Sequence, residues 1–211
     1  HNIPIYLIAG SHDYAASGKT MLDVLEQAGI FVNVMKGAVK DDNTLHLTWT
    51  TDSSGAKITG ILGKAGMLDK QYYQYINRQA IQHEPGYKIF MFHTAITELL
   101  PSKMKQMSNT APESLLPEGC DYYAGGHVHY RYKRSDPTQK NIVFPGPVFP
   151  ASFDELEELE YGSYVVVENN TPHFEKIKLH PYHKIHISVD NKTVEQINGE
   201  LEQSKQHLGD I

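Results

Sequence analysis

Apolar residues run unbroken from Ile3 to Ala9 and stop at Gly10, the pattern of a central strand covered on both faces. The period then changes. Met21, Leu22, Val24, Leu25 and Ala28 recur at helical spacing across Thr20–Ala28, and Gly29 stands where a C-terminal cap belongs. Ile30–Val34 returns to strand character, so the chain opens β-α-β and predicts an α/β layered architecture. Leu45–Thr51 and Lys57–Ile61 are short β-branched pieces between turn formers, as in a meander, and Leu68–His83 predicts one helix.

Lys88–Phe92 predicts another buried strand, ending on His93. From Thr94 to Glu118 the pattern is weak and carries Pro101, Pro112 and Pro117, which predicts a long loop with a helical turn or two. Asp121–Gly126 is a short strand that runs into His127-Val128-His129, and Ile142–Phe144 is a strand stopped by Pro145-Gly146-Pro147. The acidic run Asp154–Glu160 reads as a solvated loop or turn. Ser163–Glu168 and His173–Leu179 flank Asn169-Asn170-Thr171-Pro172 and predict a hairpin. Beyond Pro181, a strand at Lys184–Val189 and a helix at Thr193–Leu208 predict the opening of a second unit, with the boundary between residues 1–181 and 182–211.

With 40% hydrophobic and 21% charged residues, the composition is that of a folded protein rather than a disordered one. The net charge of −6 argues against coating nucleic acid through bulk charge, so any phosphate contact has to be local or carried by a metal. Twelve histidines point toward metal or proton chemistry. The single cysteine, Cys120, cannot form an internal disulfide and reads as a buried filler. Together with the lack of a signal-peptide pattern, it predicts a reducing, cytoplasmic setting. No apolar run approaches the roughly 20 residues of a membrane helix.

Four histidines follow directly on predicted strands: His12 in Gly10-Ser11-His12-Asp13, His93, and the pair His127 and His129. Ligands of open α/β sheets bind at the carboxyl ends of strands, so these imidazoles are placed to converge on one cleft. In extended backbone His127 and His129 point the same way, and Gly125 and Gly126 let the chain come close. Imidazole and oxygen donors suit Mn, Zn or Fe, and two such ions about 3.5–4 Å apart clamp the oxygens of a phosphate ester during hydrolysis. His12, beside Asp13, is placed as a general acid toward a leaving alkoxide. Bridging carboxylates are wanting: no Asp-x-His or Gly-Asp-x-x-Asp cluster occurs.

Tyr130-Arg131-Tyr132-Lys133-Arg134 is the one local basic and aromatic cluster, with Tyr130, Arg131, Lys133 and Arg134 as candidate DNA contacts. Two rival sites are weaker. Asp13–Thr20 nearly matches a phosphate-binding loop, but Asp13 replaces its first Gly and would repel phosphate. His1 offers an amine and an imidazole to copper only if it is a free terminus in a secretory setting.

Ile3–Asp13, Phe92-His93 and Gly126-His127-Val128-His129 resemble the "GNHD", histidine and "GHxH" elements of calcineurin-like metallophosphoesterases. Leu116–Ala124, Phe144–Pro147, Asp154–Glu158 and Tyr161-Gly162 are similar to one branch, the SbcD-like nuclease subunit of double-strand-break repair in its archaeal form. The resemblance spans roughly residues 1–180, with 182–211 similar to the start of that family's capping domain. It implies a metallophosphoesterase sandwich of two mixed sheets flanked by helices, followed by the beginning of a small α/β capping domain. It further implies a manganese-dependent DNA nuclease, both 3′–5′ exonuclease and single-strand endonuclease. Two Mn²⁺ per intact site would be held in part by Ser11, His93, His127 and His129, with His12 catalytic. Ser11 stands where the family has a metal-binding Asn and is a poorer donor. The elements supplying the first Asp, a His and the bridging Asp would precede residue 1, which leaves half a metal site here. The implied partners are DNA ends, a second copy in a homodimer, and an SbcC-like coiled-coil ABC ATPase. The alternatives are a scaffold subunit whose site has decayed, and a phosphodiesterase or phosphatase of the same superfamily with another substrate.

Overall fold

Four strands run parallel through the middle of the molecule: β6 (Lys57–Ile61), β7 (Lys88–His93), β10 (Tyr122–Gly126) and β12 (Ile142–Phe144). Antiparallel edge strands β5 (Thr50–Thr51) and β11 (Tyr132–Lys133) complete a six-stranded mixed sheet in the order β11-β12-β10-β7-β6-β5. Around it lie four two-stranded pairs: β1 (Tyr6–Leu7) with β2 (Val32–Asn33), β3 (Gly37–Val39) with β4 (Leu45–Leu47), β8 (Ala95–Ile96) with β9 (Thr110–Ala111), and β13 (Gly162–Glu168) with β14 (Thr171–Ile177). The helices are α1 (Met21–Gln27), α2 (Asp69–Tyr75), α3 (Arg78–His83), α4 (Phe153–Leu159) and α5 (Val194–Gln206). The chain is therefore mixed α/β, as expected. This computed structural model describes residues 3–13, 20–41, 43–63, 69–106, 109–134, 140–179 and 183–206. The loop-like motif at 14–19, His1 and the boundary at 181/182 lie outside the described residues.

Burial alternates along β7, which puts Phe90 and Phe92 on one face and Ile89, Met91 and His93 on the other. The first face carries the core, where Phe90, Phe92, Tyr123 and Phe144 join Ile61, Tyr73, Ile76 and Ile81. The second face and β13 enclose a cavity of about 350 Å³ lined by Met91, Ala124, Val143 and Val165, with His93 in its wall. The hairpin turns at Asn169-Asn170, both at positive φ (49° and 61°), the geometry whose twist matches the flanking strands.

Several expectations give way to tertiary context. The Ile3–Ala9 run is not a central strand: only Tyr6–Leu7 pairs, and only with β2, leaving Ile3 75% and Ile5 51% exposed. Lys57–Ile61 pairs antiparallel with Thr50–Thr51, as a meander predicts, and on its other edge joins β7 in parallel. The helix expected over Leu68–His83 is two helices, because Asn77 turns its side chain to accept from the Ala80 N–H and starts a new one. The acidic run is not a loop but helix α4, with Ser152 as N-cap and Glu160 closing it in the left-handed region (φ 63°). Lys184–Val189 forms no strand, and α5 buries no residue. Among the described residues no helix is long and apolar enough to cross a membrane.

Candidate active site

Parallel pairing fixes where the histidines meet. β7 ends at His93, and its register partner on β10 is Gly126, so the segment after β10 starts beside the His93 ring. On the other side of β7, the chain leaving β6 reaches Gly63, whose N–H donates to the Ala9 carbonyl at 2.8 Å and ties that strand end to the turn after β1. Three glycines from three strand ends then enclose one imidazole. A methyl carbon added at Gly63 would lie 2.4 Å from His93 Cδ2, one at Gly10 2.9 Å from Cε1, and one at Gly126 2.9 Å from Nδ1. No side chain larger than hydrogen fits at these places with the ring where it is.

His12 and half-buried Ser11 sit in the turn between Gly10 and Asp13. Asp13 closes that turn by accepting from the Gly10 N–H at 2.7 Å, and His12 within it is exposed. The His127 ring meets His93 edge to face at 5.3 Å between centroids. His127 itself stands at φ 87°, an unusual conformation for a residue with a Cβ and one that clusters at functional sites. The segment is thus not the extended strand expected, yet burial still alternates: His127 and His129 are exposed, Val128 and Tyr130 buried.

Burial, and next the neighbouring His127, pushes the His93 imidazole down to about 4, with Asp13 pulling the other way and His12 and His129 adding smaller downward effects. All the sequence-predicted histidines therefore share one electrostatic neighbourhood, and His93 is neutral at pH 7 with its lone pair available. A base whose folded value lies below its ordinary 6.5 stabilises the fold above that pH and loses the contribution as pH falls toward 4. We expect a nitrogen-15 titration to show His93 unprotonated to about pH 4, and stability to urea to fall between pH 6.5 and 4 less steeply in His93→Gln. A titration midpoint near 6.5 would contradict the burial described.

Sequence reasoning missed one residue of the site. Glu155 Oε1 lies 2.7 Å from His129 Nδ1, and its Oε2 accepts from the Ala151 N–H at 2.8 Å. The signal was present: Ser152-Phe153-Asp154-Glu155 has the S-x-x-E spacing of a helix start. Ser152 Oγ accepts from the Glu155 N–H at 3.2 Å, so the cap that begins α4 also delivers the carboxylate to His129.

The expected basic and aromatic cluster is largely built into the fold. Tyr130 is 5% exposed, donates its hydroxyl to the Leu99 carbonyl at 3.1 Å, and packs on Phe144. Arg131 lies 4.3 Å over the Tyr161 ring and donates to the Leu159 carbonyl. Arg134 grips both carboxylate oxygens of Glu113 at 2.9 and 2.6 Å. Only Lys133 keeps an exposed side chain, and its ammonium reaches the Pro172 carbonyl. Cys120 is half-buried, and burial pushes its thiol up to about 12, as befits a filler.

Against a divalent cation the donor set is a partial fit. Neutral His93, its partner His127 and the carboxylate-held His129 are suitable nitrogen ligands. Among the described residues, no three His, Cys, Asp or Glu side chains form a group that could hold an ion. No family model matches the sequence.

Proposed function

We propose that this chain carries part of the active site of a manganese-dependent phosphodiesterase acting on DNA ends, a 3′–5′ exonuclease and single-strand endonuclease of double-strand-break repair. The observation that carries the reading is the edge contact of His93 with His127 at the strand ends, where three glycines frame the His93 ring. In this reading the fold is a metallophosphoesterase sandwich, with a capping unit beginning near residue 182. His93, His127, His129 and Ser11 would hold part of a Mn²⁺ site. A bound divalent ion supplies Lewis-acid stabilisation and a water of lowered pKa. His12, exposed in the turn after β1, donates a proton to the leaving 3′-oxygen. The partners under this reading are DNA ends, a second copy of the protein and a coiled-coil ATPase, in the cytoplasm.

The test compares Mn²⁺-dependent cleavage of end-labelled duplex DNA with cleavage of a chromogenic phosphodiester, in the intact protein that carries this chain. His12→Asn is expected to slow DNA cleavage about 10²–10⁴-fold. Hydrolysis of the chromogenic ester alone favours a phosphodiesterase with another substrate, and no Mn²⁺-dependent hydrolysis of either overturns the proposal. The isolated chain is expected to bind Mn²⁺ weakly, because among its described residues no three His, Cys, Asp or Glu side chains form a group that could hold an ion.

A further inference from the structure

Nothing in the imidazole itself decides which ring nitrogen of His129 carries the proton, and a ligand to a metal needs the other one bare. The structure assigns that choice to Glu155: we propose that Glu155 is a positioning residue that locks His129 in the Nδ1–H tautomer, leaving Nε2 unprotonated. An ionised carboxylate only accepts, so at 2.7 Å from Oε1 the hydrogen must sit on Nδ1. The carboxylate is itself fixed. Its second oxygen takes the Ala151 N–H at 2.8 Å, and its backbone N–H donates to the Ser152 hydroxyl at the start of α4. Free imidazole prefers the opposite tautomer, Nε2–H, which presents no lone pair on that nitrogen. Glu155 thus does for His129 what the glycine socket does for His93: it fixes the ring before any ligand arrives.

The tautomer claim stands on the hydrogen bond alone. Its consequence for a metal rests on the phosphodiesterase reading. Long-range proton–nitrogen spectra of the 211-residue chain, recorded above neutral pH without metal, read the tautomer directly. The wild type is expected to show His129 chiefly as Nδ1–H and Glu155→Ala chiefly as Nε2–H. Glu155→Gln, which keeps an acceptor oxygen, restores the wild-type form. Ser152→Ala loosens the helix start but keeps the carboxylate and its bond from the Ala151 N–H, so it should shift the tautomer toward Nε2–H less than Glu155→Ala does. An Nε2–H ring in the wild type, or a change in Ser152→Ala as large as in Glu155→Ala, overturns the proposal. Mn²⁺ added to the same samples should broaden the His129 signals, with about 10–100-fold more metal needed in Glu155→Ala. A tautomer that follows Glu155 while Mn²⁺ broadens nothing would uphold the positioning role and sink the metal reading.

Discussion

A Gly63→Ala variant is expected to fold and yet lose about 10²-fold of the Mn²⁺-dependent hydrolysis proposed for the intact protein. Gly63 lies outside the left-handed region, so alanine brings no backbone strain, and the added methyl tests the site by contact alone. That methyl would stand 2.4 Å from His93 Cδ2, 2.8 Å from Cγ and 3.0 Å from Cβ, well inside the roughly 3.5–4.0 Å at which carbons rest. Gly10 and Gly126 face its Cε1 and Nδ1 sides, where an added methyl would lie 2.9 Å away, so little space remains for the ring to slide. It must rotate out of the socket, giving up its edge contact with His127. Overpacking of this kind costs the fold about 1–3 kcal/mol, which a chemical denaturation curve will register as a modest shift. Chemical shifts of the His93 ring supply the independent readout. Unchanged shifts and unchanged hydrolysis would mean that the socket has no part in placing the imidazole.

How much of this was legible beforehand depended on whether local sequence and tertiary context agreed. Ile142–Phe144, the hairpin around Asn169-Asn170 and the strand ending on His93 follow from apolar run length, alternation and turn chemistry, and they stand where expected. The meeting of His93 and His127 was also readable, because parallel strands β7 and β10 put their carboxyl ends on one edge of a sheet. Helix α4 was hidden because five carboxylates in seven residues suppress the apolar period, although Ser152 and Glu155 spell its start. The break at Asn77 depended on a side chain capping a new helix in mid-pattern, a choice that propensity leaves open. Lys184–Val189 alternates like a strand, but alternation makes a strand only where a partner edge exists. Tyr130 and Arg134 looked like surface because composition cannot tell a tyrosine bonded to a buried carbonyl, or an arginine closed on a carboxylate, from free ones. The glycine socket is a three-body arrangement that no spacing rule contains, since its members stand at 10, 63 and 126.

Phe144→Ala should produce the largest stability loss, about 3–5 kcal/mol. Phe144 is fully buried at the end of β12, its ring 5.4 Å from Phe92 in an edge-to-face pair and 5.7 Å from Tyr130. It also fills the space that Gly125 leaves open, where an added methyl would come within 2.5 Å of its Cε1. Alanine removes both aromatic contacts and leaves a cavity that the flanking strands β10 and β11 cannot close without breaking their pairing to β12. For a chain of this length that corresponds to a melting temperature lower by roughly 6–20 °C. Leucine at the same position should recover most of it, because it restores apolar volume though not the aromatic contacts. The outcome separates two roles along one strand end: Gly125 and Phe144 build the floor, while Gly126 one residue later frames the His93 ring. Loss of the floor is expected to weaken both the fold and the site, whereas the methyl at Gly63 should cost the fold less and strike chiefly the site. A Phe144→Ala protein that melts within about 2 °C of the wild type would mean that this aromatic cluster is not what holds the sheet to its core.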